Sequence, residues 1–257
     1  MKKVNRVLAF LGPVFMFLAS IAMILFFGFN VTSDMEAPPV PLYIEPAGYT
    51  FIIWQLIYIG FIALSIFQLK AAYKDDSRFI KARVYIIVNS MANSAWFLGV
   101  IFNQLWITVL FMLLMLFTLI RLSIIFQLGK PNKSKSERWF VKLPLSLYFG
   151  WITVATPVNI TSFLLTEVGW SGQELLNPNI WSLIILLVAT AIFSWVYLKR
   201  KGNGAYLLVG VWGFTGIYMA NFDQNDLIRF VSLALSAFLL LLLIITKYRT
   251  KSSFTLL

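Results

Sequence analysis

A chain of 257 residues that is 60% hydrophobic and 12% charged, with a mean hydropathy of +0.84, lacks the polar surface of a soluble domain. It reads as an all-α integral membrane protein. Cysteine and histidine are both missing, which excludes disulfides, thiolate metal sites, an imidazole base and the usual protein ligands of haem iron. The net charge of +11 invites nucleic acid as a partner, but the placement of the charges argues for topology instead.

Eight apolar stretches are long enough for a bilayer core of about 30 Å, which takes roughly 20 helical residues. They run near 7–29, 50–69, 82–102, 105–127, 143–165, 179–198, 204–221 and 227–246. The first follows Lys2, Lys3 and Arg6. It is kept as a helix because its apolar run is too long for a signal-peptide core and no small-x-small cleavage site closes it. The third and fourth are separated only by a short gap at Asn103 and Gln104.

Eight spans sort the loops by sign. One side holds every Lys and Arg except Arg229, with only Asp75, Asp76 and Glu137 among the acids. The other holds Asp34, Glu36, Glu45, Glu167, Glu174, Asp223 and Asp226. That partition predicts both termini in the cytoplasm, and a multi-pass protein of the bacterial plasma membrane is expected. Attraction to anionic headgroups follows as a by-product. The bilayer is therefore the expected partner, and nucleic acid is not.

The outer loop 30–49 carries Pro38, Pro39, Pro41 and Pro46, and could lie as a semi-rigid cover across the helix ends. In the second span Phe51, Trp54, Tyr58, Phe61, Ser65 and Gln68 recur at steps of three and four, on one helix face. Such a stripe packs into the bundle or lines a cavity. Asn89, Asn93 and Trp96 share a face of the third span; the amides must meet protein or water, through interhelical bonds or a ligand.

Pro144, Tyr148, Trp151, Ala155, Asn159 and Ser162 share a face of the fifth span, and Pro157 sits mid-helix, freeing a carbonyl. A pocket wall and a proline-kinked packing helix both have this form. In the sixth span Trp181 and Trp195 suit interface anchors. Gly210, Gly213 and Gly216 leave one face of the seventh bare for close contact. Asp226 and Arg229 are spaced to pair at the start of the eighth, and Arg121 to snorkel from the fourth.

Three of these segments resemble the TspO family of tryptophan-rich sensory proteins, also called translocator proteins. PAGYTF followed by WQLIY is similar to the family's loop end and second helix, which puts Pro46, Gly48, Tyr49, Phe51, Trp54 and Tyr58 on the pattern. Asn93 and Trp96 match the third-helix signature, and Tyr148, Trp151, Ala155 and Asn159 that of the fifth. Departures are Tyr49 in place of a tryptophan, one residue fewer between Phe51 and Trp54, and ITSF where animal members have their cholesterol segment.

The resemblance covers about residues 1–165. It implies a five-helix TspO-like bundle there, extended by three helices over 166–257. It also implies a flat apolar ligand such as a porphyrin, bound by Tyr49, Phe51, Trp54, Tyr58, Asn93, Trp96, Tyr148, Trp151, Ala155 and Asn159. No resident cofactor or metal is required, and a homodimer is an assembly open to the chain.

A ligand-binding sensor or regulator is the function that follows from the resemblance. A transporter of a small hydrophobic or anionic solute is the alternative, although no carboxylate lies within a span to carry a coupled proton or sodium. Catalytic residues are not identified, because no cluster of acid, base and nucleophile appears. Light-dependent breakdown of a bound porphyrin is the one reaction the resemblance leaves open.

Overall fold

The computed structural model describes residues 2–27, 41–130, 134–169, 177–199 and 203–249. Among them all regular structure is helical. Helices run over Lys2–Phe27 (α1), Ile53–Phe67 (α2), Ser77–Ile101 (α3), Leu105–Ile125 (α4), Leu143–Thr166 (α5), Pro178–Lys199 (α6), Gly204–Ala220 (α7) and Asp226–Arg249 (α8). A 3-10 turn, Gly48–Ile52, leads into α2. A short helical turn Lys135–Glu137 and a π-helical turn Arg138–Lys142 lead into α5. Among the described residues seven helices are long and apolar enough to cross a membrane, and α7 is apolar but shorter, at 17 residues. The chain is an all-α membrane protein.

The helix ends follow local rules. At the narrow gap after α3, Asn103 adopts the left-handed conformation at φ 51°, a position that asparagine tolerates better than most side chains. The Gln104 amide then reaches back to the Gly99 carbonyl at 2.7 Å and the Asn103 amide to Val100 at 3.0 Å, which satisfies the last carbonyls of the helix. Gln127 repeats the motif after α4, at φ 48°, with Leu128 bonded to Ser123 at 3.0 Å. The two ends of α4 are thus bounded by one kind of turn built from amide side-chain residues. Pro157 does not break α5, where the hydroxyls of Thr156 and Thr161 donate to the carbonyls of Ile152 and Pro157.

Contacts divide the chain into two units. The first draws on Met1–Met35, Ile53–Leu128 and Asn132–Phe149, and so holds α1 to α4 and the beginning of α5. Its basic end is tied by polar groups. Arg83, 1% exposed, donates to the Gln68 side chain at 3.0 Å and to the Tyr73 carbonyl at 3.0 Å. Gln68 in turn donates to the Arg6 carbonyl at 2.9 Å, and Arg6 to that of Leu69. The polar foot of the second span's stripe is therefore a bracket between α1, α2 and α3. Asp76 caps α3 by accepting the Arg78 amide at 2.8 Å, and the Arg78 guanidinium grips Glu137 through both oxygens, at 2.9 and 3.1 Å.

The second unit draws on Glu36–Ile52, Gly129–Pro131 and Gly150–Leu257, and so holds α6, α7, α8, the rest of α5 and the segment before α2. The bare face of α7 is used for close approach, as its spacing implies. A Cβ on Gly213 would come to 3.0 Å from Val154 of α5. At Gly216 the neighbour is the 41–52 segment, where a Cβ would fall 2.3 Å from Thr50 Cγ2 and 3.0 Å from Pro46. Asp226 and Arg229 pair at 3.5 Å, and the Arg229 guanidinium lies 3.7 Å from the centre of the Phe222 ring. Arg121 is exposed, with its Nε donating to the Tyr85 hydroxyl at 3.2 Å.

Candidate functional site

Five of the ten candidate residues, Trp54, Tyr58, Asn93, Trp96 and Tyr148, belong to the first unit. All are buried. Steps of three and four in α2 put Trp54, Tyr58 and Phe61 on the buried face, and α5 begins with Tyr148 buried among them. Trp54 stacks on Tyr58 at 5.5 Å and 23°, and meets Tyr148 edge-on at 5.9 Å. Phe61 closes on Tyr148 edge-on at 5.4 Å. These are the offset and T-shaped geometries that aromatic quadrupoles favour.

The hydroxyl end of the same cluster is polar. Asn93 Nδ2 donates to the Tyr148 hydroxyl at 3.0 Å and approaches Met115 Sδ at 3.4 Å; the Tyr148 hydroxyl itself donates to that sulfur at 3.2 Å. One turn away, Asn89 donates to Thr118 at 2.7 Å. The amide nitrogens and hydroxyls here bond one another, as buried polar groups must, while the Oδ1 atoms of Asn89 and Asn93 are buried with no hydrogen-bond partner. Trp96 is buried with its ring edge-on to Phe97.

The other five candidates, Tyr49, Phe51, Trp151, Ala155 and Asn159, belong to the second unit. Phe51 meets Trp151 edge-on at 5.5 Å, and Trp151 is 1% exposed. Asn159 is buried and donates to the Ala155 carbonyl at 3.2 Å. Tyr49 differs from the rest in being 49% exposed; its ring lies edge-on to Trp212 at 5.5 Å.

What holds Tyr49 and Phe51 in place is α7. The Ala47 amide donates to the Gly216 carbonyl at 3.1 Å, Trp212 Nε1 to the Thr50 carbonyl at 3.0 Å, and Asn221 to the Tyr43 carbonyl at 2.9 Å. Thr50 is fully buried and folds back on Ala47 through both its amide, at 2.9 Å, and its hydroxyl, at 2.6 Å. The described end of the proline-bearing loop is therefore strapped to α7; Pro38 and Pro39 lie outside the described residues. Within the strap, burial pushes the Glu45 carboxyl above its ordinary range.

A family model described as TSPO-like protein matches residues 5–245. The chain belongs to this family. No curated protein and no solved structure matches it.

The TSPO-like match runs on through the last three helices, beyond the three aromatic signatures, which end at Asn159. Its extent fits the strap, since α7 positions a segment that carries two of the candidate residues. Several residues of the clusters escape the sequence patterns. Met115 sits among leucines, where a thioether carries no signal. Thr118, three residues on, is a polar break in an apolar run and could have been paired with Asn89. Trp212 stands beside Gly213 in a stretch whose glycines draw the reading toward packing. Among the described residues no group of three or more Asp or Glu side chains is placed to hold a metal ion.

Proposed function

We propose that this membrane protein binds a flat apolar ligand on these aromatic clusters, a porphyrin being the best fit, and acts as a sensor or regulator. The observation that carries the reading is the arrangement of Trp54, Tyr58 and Tyr148 around Asn93: broad ring faces beside a small set of hydrogen-bonding groups in a buried apolar setting. A tetrapyrrole offers two π faces for stacking and carboxylates for hydrogen bonding. Each well-placed ring contact contributes about 0.5–1.5 kcal/mol beyond burial, and apolar sites with few convergent polar groups are the usual form of a small-molecule site. With no histidine or cysteine in the chain, an iron porphyrin would lack its usual protein ligands, so recognition rests on stacking of the ring, with or without a metal. Phe51 and Trp151 supply the same chemistry in the second unit. The charge partition supports cytoplasmic termini, which reporter fusions at each end would check.

Protoporphyrin IX titrated into the purified full chain in nanodiscs, read by the shift of its absorbance band, tests this reading. Trp54→Ala and Trp151→Ala are expected to weaken binding at least tenfold each. Trp195→Phe, at a 65% exposed position outside both clusters, is expected to leave it unchanged. Binding that survives both alanine substitutions at full strength would remove the proposal.

A further inference from the structure

On the exposed surface of the first unit a groove of about 560 Å³ runs between α2 and the helical run that starts α5. Leu56, Ile59 and Ala63 form one wall, and Leu143 and Leu147 the other. Its floor is a close contact, because a Cβ on Gly60 would lie 2.9 Å from Pro144 Cβ. Bulk at Gly60 would drive the helices apart. One end is different: Lys135, Ser136 and Trp139 form a polar mouth, and the Trp139 side chain is 53% exposed.

The π-helical turn makes this groove straight. Lys135, Trp139, Leu143 and Leu147 are spaced by four, and a row of that spacing drifts around an α-helix because four residues overshoot the 3.6-residue turn. The wider turn over Arg138–Lys142, in which the Leu143 amide bonds the Arg138 carbonyl, takes up the overshoot and keeps the row along one wall. From Lys135 to Leu147 the row is roughly 18 Å long at helical rise. That is about the depth of one leaflet of a ~30 Å hydrocarbon core.

We propose that the groove holds one acyl chain of an anionic phospholipid, with its phosphate at the Lys135, Ser136 and Trp139 mouth. Charge selects this occupant. The mouth offers an ammonium, a hydroxyl and an indole N–H, all donors. The nearby carboxylate, Glu137, is buried and gripped by Arg78 at 2.9 Å. A second copy of the chain would have to answer Lys135 with an acid. The acids on this side of the charge partition are Asp75, Asp76 and Glu137, of which Asp76 and Glu137 are already paired with Arg78. The basic end is also the one the positive-inside rule assigns to the anionic cytoplasmic leaflet. The inference is independent of the porphyrin reading, which concerns buried residues elsewhere.

The test uses the full chain, released from nanodiscs containing equal phosphatidylglycerol and phosphatidylcholine of identical acyl chains, with retained lipid counted by native mass spectrometry. Phosphatidylglycerol is expected at least fivefold over phosphatidylcholine. Lys135→Glu, at an exposed position that leaves the fold intact, should erase the preference. Ala63→Trp, which fills the groove, should displace both lipids. Equal retention of the two lipids by the unaltered chain, or an unchanged preference in Lys135→Glu, overturns the proposal. So does a dimer that carries no lipid and falls to monomer in Ala63→Trp, since a second copy would then occupy the groove.

Discussion

Asn93 of α3 and Tyr148 of α5, 55 residues apart in sequence, are joined by a hydrogen bond of 3.0 Å between two fully enclosed side chains. Neither group can turn to water. Tyr148→Phe removes the acceptor and leaves a buried amide donor with the Met115 sulfur, a weak acceptor, in its place. A loss of about 1–3 kcal/mol is expected for stranding such a group. Replacing both partners, with Asn93→Leu added to Tyr148→Phe, should recover part of that loss, because no polar group is then left stranded. Thermal unfolding of the purified single and double variants checks this. A double variant no better than the sum of the singles would show that the bond is not the source of the effect.

The strap of residues 41–52 on α7 depends on Gly216 having no side chain. Gly216→Ala would set a methyl 2.3 Å from Thr50 Cγ2. Since the strap is held by hydrogen bonds on both sides of that point, the clash should lift it rather than be absorbed. Limited proteolysis within 41–52 is expected to speed up severalfold. Thr50→Ser deletes the clashing methyl and keeps the hydroxyl that bonds Ala47, so Gly216→Ala with Thr50→Ser should return much of the protection. Equal cleavage rates in Gly216→Ala and the unaltered chain would mean that the segment is not held there.

Arg78 links the cap of α3 to the turn before α5. Its contact with Glu137 is bidentate, and the Glu137 side chain is 9% exposed against 41% for Arg78. A fully buried pair broken on one side costs about 3–5 kcal/mol, while exposed pairs contribute at most about 1. This half-exposed pair belongs between the two, so Arg78→Lys, which keeps the charge and loses the fork, is expected to cost about 1–2 kcal/mol. Denaturation of the two proteins in the same detergent measures it. A lysine variant of unchanged stability would make the fork geometry irrelevant.

The sequence makes the helices and their buried faces legible. Apolar runs locate all eight, and three-and-four spacing marks Tyr58, Phe61, Asn93 and Trp151 as inward, because helical periodicity decides which side is covered. It does not decide what covers it. The Trp212 indole bonds a carbonyl 162 residues away, at Thr50, and Met115 supplies its sulfur to Asn93 and Tyr148 from another helix. Such pairings are set by packing between distant segments, and neither leaves a local pattern. The π turn at Arg138–Lys142 is hidden for a different reason: its sequence, RWFVK, is compatible with an ordinary helix, and only the i to i+5 bonding distinguishes it.

Two carboxyls outside the spans should bend the pH dependence of stability in opposite directions. Burial alone lifts Glu45 above its ordinary value of 4.5. Its folded form therefore holds the proton more tightly than the unfolded form. The contribution is complete below that ordinary value and is lost as pH rises through the raised one. For Asp76, partial burial works to raise the value from 3.8, but the hydrogen bonds and charge of Arg78 outweigh it and hold the carboxyl below. Its contribution is present above 3.8 and is lost as pH falls through the lowered value. Glu45→Gln should accordingly flatten the decline on the neutral side, and Asp76→Asn the decline on the acid side, while asparagine still caps α3. Unfolding temperatures of the three proteins across both windows check the pair of slopes. If Glu45→Gln left the neutral side unchanged, the Glu45 carboxyl would not be desolvated within the strap.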